Sequence, residues 1–224
     1  MPSTPLHPNA GTGILSVWNE YPAEDAVFYE RWYMTEHFPE RLGVPGFLRG
    51  RRYRAIDADR TYFTFYDLES PEVLFSEAYY ARLNDPTAWT QKIMTRWSAM
   101  FRTACRRVAR AGTATGGFAA VARFEGAAAI SRGQAAEIKE RLPDPHVVAV
   151  DIWAATPEQN AATKEASARP EADRTIMAAI IIETTTEAAA VKARATLPGL
   201  LGSAAVPAAI GVYALIAAQD APPR

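Results

Sequence analysis

The same order of strand and helix patterns occurs twice along this chain of 224 residues, on either side of the glycine-rich segment 112–117. In each half, a short β-branched or aromatic run precedes a helical pattern, two more strand patterns, a second helical pattern and a last strand. This βαββαβ order is that of a ferredoxin-like unit, an antiparallel four-stranded sheet with both helices on one face. We therefore predict two tandem units, residues 1–111 and 118–224, joined by a linker at residues 112–117.

A sheet that carries its helices on one face leaves the other face uncovered, and two such sheets can cover each other. The predicted fold class is therefore α+β, with two tandem ferredoxin-like βαββαβ units packed sheet to sheet as one pseudo-dimeric α+β barrel. Hydrophobic residues make up 49% of the chain, which is enough for such a core without metal or disulfide crosslinks. Edge strands at the seams would also allow a homodimer of whole chains.

Charge and composition exclude several classes of partner. The chain has 24 basic and 25 acidic residues, so no overall field would attract nucleic acid or an anionic membrane. Its start lacks the pattern of a secretory signal, and the apolar runs near 176–182 and 204–218 are too short or too broken to cross a bilayer, so a cytoplasmic location is expected. A single cysteine and histidines at positions 7, 37 and 146 lack metal-ligand spacing. We expect a small-molecule partner and neither metal nor cofactor.

The candidate chemistry lies on the first predicted helix, residues 23–42. Its core face is predicted from apolar spacing at Val27, Met34 and Phe38. A polar stripe lies beside that face and comprises Glu30, Tyr33, His37 and Arg41. Pro39 is expected to end or kink the helix near His37 and to leave carbonyl oxygens free, which together with Glu30 would favour a protonated imidazole near neutrality. Such a group suits general acid–base catalysis, although on spacing alone a histidine beside Tyr and Glu in a helix is more often a hydrogen-bonded structural residue.

A longer motif surrounds this histidine. Residues 28–42 read FYERWYMTEHFPERL and are followed by VPGF at 44–47. Over residues 12–110 the chain resembles the EthD-like branch of the dimeric α+β barrel superfamily, in which a helix bearing Glu-His-x-Pro leads through a Pro-Gly turn into the second strand. The resemblance implies that His37 faces a ligand pocket. The first helix of the second half, near residues 131–142, has no histidine, so we expect one site per chain.

Further candidate residues come from the strands. On the predicted second strand Arg49, Arg51 and Tyr53 share one face, and an arginine fork there would suit a substrate carboxylate, although these arginines could equally be solvated or paired with acids. Aromatic side chains with polar tips, such as Trp18 and Tyr66, suit a pocket for a small ring compound.

The superfamily contains polyketide cyclases, muconolactone isomerases and cofactor-free monooxygenases, so the resemblance does not select a reaction. Our first hypothesis is a cofactor-independent acid–base enzyme, an isomerase, cyclase or lyase acting on a small aromatic or enolisable metabolite. In it His37 moves the proton, Tyr33 or Tyr53 stabilises the oxyanion, and Arg51 holds an acidic group. The alternatives are a non-catalytic small-molecule carrier and a cofactor-free or haem-dependent oxygenase.

Overall fold

A computed structural model describes residues 11–126, 128, 130–159 and 162–223; the start of the chain, with His7, lies outside this range. The described residues form a mixed α+β fold around a closed antiparallel barrel of eight strands. The strands are β1 Gly13–Glu20, β2 Phe47–Asp57, β3 Tyr62–Leu68, β4 Ser98–Ala111, β5 Phe118–Phe124, β6 Val147–Ala155, β7 Ala178–Thr184 and β8 Ala209–Asp220.

The strand order around the barrel is β1-β3-β2-β8-β5-β7-β6-β4. The first half of the chain therefore contributes β4-β1-β3-β2 and the second half β8-β5-β7-β6, and the halves join where β2 pairs with β8 and β4 with β6. Both seams are antiparallel, so the two sheets share one continuous hydrogen-bond network.

Helices cover the outside of the barrel. In the first half α1 Ala26–Trp32 continues through a π-helical turn, Tyr33–His37, into α2 Phe38–Leu42; we call residues 26–42 the His37 helix. The remaining helices are α3 Glu77–Asn84, α4 Ala88–Met94, α5 Gln134–Arg141, α6 Lys164–Ser167 and α7 Glu187–Leu201, with short 3₁₀ turns at Ala23–Asp25, Pro71–Phe75 and Gly202–Ala204.

Hydroxyl side chains set several of these helix starts. The side chains of Ser76 and Thr87 accept hydrogen bonds from the third residue that follows each and so cap α3 and α4, as Thr163 and Thr186 do for α6 and α7. The helical region before β4 is interrupted at Asp85-Pro86, because α3 ends at Asn84 and α4 begins only at Ala88.

The His37 helix differs from its prediction in two ways. Pro39 does not end it: Phe38 N–H donates to Tyr33 O, five residues back, so the chain forms a π turn and Pro39 falls in the first turn of α2. The predicted core face is also wrong for Val27 and Met34, whose side chains are 84% and 38% exposed. Larger aromatic side chains on this helix occupy the buried face instead, chiefly Tyr29, Trp32 and Tyr33.

The barrel interior is packed and charge-balanced. Alternate residues of the strands point inward, where aromatic side chains such as Phe63 and Phe65 stack at centroid distances near 5.6 Å. At one end, three arginines and three acids form an ion-paired ring that comprises Arg51, Arg107, Arg110, Asp67, Asp151 and Glu183. Segment 112–117 closes this end, because Gly116 N–H donates to Glu183 Oε2 at 3.1 Å.

One connection crosses from the second half to the helices of the first. Residues 58–61 suffice to join β2 to β3, but residues 156–177 separate β6 from β7. Within this connection α6 packs against α3 and α4. At the far end, backbone bonds of 2.9 Å tie Arg174 to Met100 and Arg102 of β4. We call residues 162–173 the strap.

Candidate functional site

Two adjoining cavities lie between the His37 helix, the barrel wall and the strap. The inner chamber has a volume of about 30 Å³, and its lining includes His37, Tyr33, Tyr66, Arg41, Trp97 and Met100. The outer cavity has a volume of about 340 Å³ and runs along the strap. Leu83, Arg102, Glu165 and Arg169 line both cavities. A ligand in the outer cavity would therefore reach the inner chamber past these four side chains.

His37 lies in an aromatic box. Its ring centroid is 4.4 Å from that of Trp32, 5.1 Å from Tyr33 and 5.6 Å from Trp97. Its Nδ1 atom is buried and has no hydrogen-bond partner within the described part of the chain. Buried polar atoms are almost always paired in native proteins, so an unpaired ring nitrogen beside a cavity indicates a position that a ligand can satisfy.

The electrostatics of His37 oppose the sequence-based expectation. Burial lowers the pKa of this imidazole well below its ordinary value of 6.5, and the guanidinium groups of Arg41, Arg52 and Arg169 lower the pKa further. The expected protonated imidazole is therefore wrong. The helix continues past His37, so no free carbonyl ends stabilise its cation, and Glu30 is bound to Arg52 rather than to His37. His37 is a neutral base at physiological pH.

The lowered pKa of His37 predicts a loss of stability in acid. In the unfolded chain this histidine takes up a proton near pH 6.5, but in the folded protein it does so only at lower pH. The stability that the neutral form provides is therefore complete above about pH 6.5 and declines as the pH falls toward the folded pKa. Between pH 6.5 and 5.5 we expect the wild type to lose about 1 kcal/mol of unfolding free energy relative to His37→Gln, as measured by urea denaturation.

His146 provides the matched control, because its side chain is exposed and bonds Thr185 Oγ1 at 2.6 Å. His146→Gln should retain the acid-dependent loss of the wild type. Parallel stability curves for the wild type and His37→Gln over this range would contradict the prediction.

Two tyrosines supply a hydroxyl group to the inner chamber. Tyr33 and Tyr66 approach at 3.2 Å between their hydroxyl oxygens, and either can be the donor. Whichever hydroxyl accepts this bond retains its own proton for a ligand oxygen. Burial raises the pKa of Tyr66 well above its ordinary value, so the group stays protonated. The pair can therefore donate one hydrogen bond to an oxyanion.

Arg52 and Glu30 support the tyrosine pair from behind. The Arg52 guanidinium carbon lies 4.0 Å from the centroid of the Tyr33 ring, and the Arg52 side chain is 0% exposed. Glu30 accepts a hydrogen bond from Arg52 Nη1. Glu30, which we predicted in the polar stripe as an acidic neighbour of His37, thus holds the arginine that covers Tyr33.

Glu36 fixes the opposite wall of the box. Its Oε1 accepts from Trp32 Nε1 at 3.2 Å and from Thr90 Oγ1 at 2.9 Å. The Trp32 indole is thereby held against the imidazole, which gives Glu36 a role in positioning rather than in proton transfer.

The remaining predicted site residues lie apart from His37. Trp18, Arg51 and Tyr53 point into the barrel interior, on the opposite face of the sheet, where Arg51 pairs with Asp67 at 2.7 Å and Glu183 at 2.8 Å. Arg49 lies at the barrel end and is 3.4 Å from Asp220. The structure therefore brings together His37, Tyr33, Tyr66 and, through Arg52, Glu30; it separates them from Trp18, Arg49, Arg51 and Tyr53.

Several lining residues were not identified from the sequence as site residues. Arg41 stood in the polar stripe without a role, and the strap residues Glu165 and Arg169 come from the second half. The sequence contains one signal for the contribution of the strap. The strand patterns that end near residue 154 and begin near residue 176 lie so far apart that the connection between them is much longer than a hairpin needs. Such a long connection in a compact domain commonly carries function.

The residues around His37 do not fit a haem group. An inner chamber of about 30 Å³ holds roughly one water-sized molecule, and the Trp32 ring already lies against the imidazole face at 4.4 Å. Across the described ranges, no group of three or more histidine, cysteine, aspartate or glutamate side chains could hold a metal ion. Nor does any helix in those ranges combine the length and apolar character that a membrane span requires.

No protein-family model and no curated protein sequence matches this chain. Among solved structures, an anthrone oxidase-like protein superposes with a TM-score of 0.59 at 10% identity, covering 95% of this chain and 94% of that one. A protein from Fusobacterium nucleatum subsp. nucleatum, classed provisionally as a monooxygenase, superposes with a TM-score of 0.52 at 10% identity, covering 94% and 95%.

These neighbours are named for oxidative activities, which contradicts our prediction of an isomerase, cyclase or lyase and favours the oxygenase alternative. At 10% identity the likeness establishes the fold and not the activity. The EthD-like branch stays a prediction from the motif around His37. The chain has an eight-stranded antiparallel α+β barrel fold, which it shares with the anthrone oxidase-like protein.

Proposed function

We propose that this protein is a cofactor-free oxygenase that oxidises an enolisable aromatic compound with molecular oxygen. The observation that carries the proposal is the buried, unpaired Nδ1 of a neutral His37 at the wall of a small aromatic chamber. The names of the two structural neighbours support an oxidative reaction, and the anthrone oxidase-like neighbour suggests the kind of acidic C–H group involved.

The outer cavity, at about 340 Å³, falls within the size range of small-molecule sites. A ring ketone bound there could direct its reacting edge toward the inner chamber. The free hydroxyl of the Tyr33–Tyr66 pair would then donate to the ketone oxygen, while Nδ1 of His37 accepts the proton from the adjacent C–H group. The product of this step is an enolate whose charge is stabilised by that hydroxyl and by the nearby arginines.

The electron-rich enolate is the species that reduces oxygen, which avoids the need for a metal or flavin. The overall reaction is R₂CH₂ + O₂ → R₂C=O + H₂O, in which one oxygen atom enters the carbonyl and the other leaves as water. The enolate carbon forms a bond to one oxygen atom, and His37 returns its proton to the other, which gives a hydroperoxide and a neutral imidazole. Loss of the second C–H proton then breaks the O–O bond, and the released hydroxide leaves with that proton as water. An inner chamber of about 30 Å³ is large enough for one diatomic or water-sized molecule beside the reacting carbon.

The decisive measurement is oxygen uptake with an anthrone as probe. We expect one O₂ consumed per anthrone, incorporation of one ¹⁸O atom from ¹⁸O₂ into the new carbonyl, and no conversion under anaerobic conditions. Conversion that proceeds equally well without oxygen would contradict the proposal. So would binding of anthrone with no rate above that of the same buffer without protein, the behaviour of a carrier.

We propose a finer assignment of the fold as well. The order β4-β1-β3-β2 of the first half and the order β8-β5-β7-β6 of the second place corresponding strands at corresponding positions, which supports two tandem ferredoxin-like units in one chain. The Glu-His-x-Pro helix supports membership of the EthD-like branch. A small-molecule partner, a cytoplasmic location and a homodimer remain part of the same proposal.

A further inference from the structure

We infer that the substrate carries a carboxylate, which binds Arg41 in place of Glu165. This names the substrate class of the site described above and rests on the proposed function for the reaction, although the binding step can be tested without it.

Arg41 has donor capacity that the protein does not use. It lies near the end of the His37 helix, its side chain is 2% exposed, and it lines the inner chamber. Nη2 donates to Glu165 Oε1. Nη1 is buried and forms no hydrogen bond in the described part of the chain, although it lies 3.8 Å from Glu40 Oε2. Leaving a buried charged donor unpaired is costly, so a ligand oxygen at Nη1 would be favoured.

Glu165 lies on the strap, outside the barrel, whereas Arg41 belongs to the His37 helix. Glu165 belongs to α6, a single helical turn of four residues on the strap, 124 positions along the chain from Arg41. The start of α6 is tied to the first half by one side-chain bond, Lys164 N–H to Asn84 Oδ1 at 3.1 Å. Arg41, by contrast, projects from a helix whose aromatic face is buried in the core. Displacement of Glu165 would therefore break no strand pairing of the barrel.

The other charges around the chamber make an incoming anion favourable once Glu165 leaves. Arg169 pairs with Asp173 at 2.6 Å, and Arg102 donates to Tyr79 Oη at 2.8 Å. Among the described residues, displacement of Glu165 would thus leave Glu40, at 3.8 Å, as the acidic side chain within 4 Å of Arg41. A planar carboxylate could take both Nη atoms, a bidentate geometry that the present single bond to Glu165 does not use.

The test compares anthrone-2-carboxylate with its neutral amide in calorimetric binding to the full chain under anaerobic conditions. We expect the carboxylate to bind wild type about tenfold more tightly than the amide. Glu165→Gln removes the internal competitor and should tighten carboxylate binding by a further factor of about ten, without changing amide binding. Asp173→Asn is the matched control, since it lies on the same strap but pairs with Arg169 and should give no gain.

Equal binding of the two compounds to wild type overturns the inference. So does an equal gain from Asp173→Asn, which would place the anion at Arg169.

If Glu165→Gln fails to fold, hydrogen exchange on the wild type tests the displacement of Glu165 instead. The carboxylate, but not the amide, should accelerate exchange of the Ser167 and Ala168 amides, which bond Thr163 O and Lys164 O at 2.8 and 3.1 Å. Unchanged exchange with bound carboxylate contradicts displacement.

Failure of this inference can be distinguished from failure of the proposed function. Selective carboxylate binding without oxygen uptake in air would refute the oxygenase and retain the Arg41 site. Oxygen uptake that is equally fast with the carboxylate and the amide would retain the oxygenase and refute the Arg41 site.

Discussion

Asp67→Ala is expected to lower the free energy of unfolding by about 3–5 kcal/mol, the usual cost of removing one partner from a buried ion pair. Asp67 lies inside the barrel, where it accepts from Arg51 Nη2 at 2.7 Å and from Arg107 Nη2. Its removal takes one carboxylate away from each of two buried guanidinium groups. Arg51 then keeps Glu183 as an acidic partner, and Arg107 keeps Asp151. Urea denaturation at neutral pH measures the loss.

The control is Glu72→Ala, which removes an exposed ion pair with Arg106 of 3.1 Å and should cost no more than about 1 kcal/mol. A loss from Asp67→Ala as small as that of the control would contradict the account of the barrel interior.

The stabilisation that Asp67 provides also depends on pH. Burial raises the pKa of Asp67, but Arg51 and Arg107 lower this pKa below its ordinary value. Its contribution is therefore present above about pH 4 and is lost as the pH falls through the folded pKa.

The strand patterns were predictable because their period is local. Arg51 and Tyr53 share one face of β2, as the period of two requires, and both point into the barrel interior. The sequence could not tell which face turns toward the helix, since both faces of a barrel strand are buried here. Arg52 is fully buried against Tyr33 on the helix side of the strand, while Arg51 points into the barrel interior.

The face of the His37 helix was harder to predict because a π turn interrupts its period. An extra residue per turn shifts the phase of every later side chain by about 100° relative to an α-helix. Gly50 of β2 contributes to the fit, because a Cβ atom there would lie 2.2 Å from Phe38 Cε2. The absence of a side chain at Gly50 lets the helix approach the sheet closely here, with Phe38, the residue after His37, against the barrel wall.

The contribution of the second half to the site was beyond sequence reasoning for a different physical reason. Glu165 meets Arg41 across 124 positions, and that contact depends on the closure of the barrel through the β2–β8 and β4–β6 seams. No local period encodes such a contact. The absence of a second histidine-bearing helix led us to place the catalytic candidates in the first half, but it gave no indication that the second half supplies the cover.

His37→Gln is expected to lower kcat for oxygen-dependent conversion of an anthrone by a factor of about 10²–10⁴, the usual contribution of a general base. Glutamine has similar bulk and can still pack against Trp32 and Trp97, but it cannot accept a proton from carbon. Because the Tyr33–Tyr66 pair remains to bind the ketone oxygen, KM should change only a few-fold, so the loss is one of transition-state stabilisation.

The pH profile separates this role from simple damage to the fold. With wild type, kcat/KM should stay level from neutral pH down through pH 6.5 and fall only near the lowered pKa of His37, because protonation abolishes the base. His37→Gln should show a low rate without that decline, and His146→Gln should reproduce the wild-type rate and profile. A His37→Gln variant that keeps more than about a third of the wild-type kcat would contradict the assignment, since a loss so small lies far below what proton transfer by a positioned base contributes.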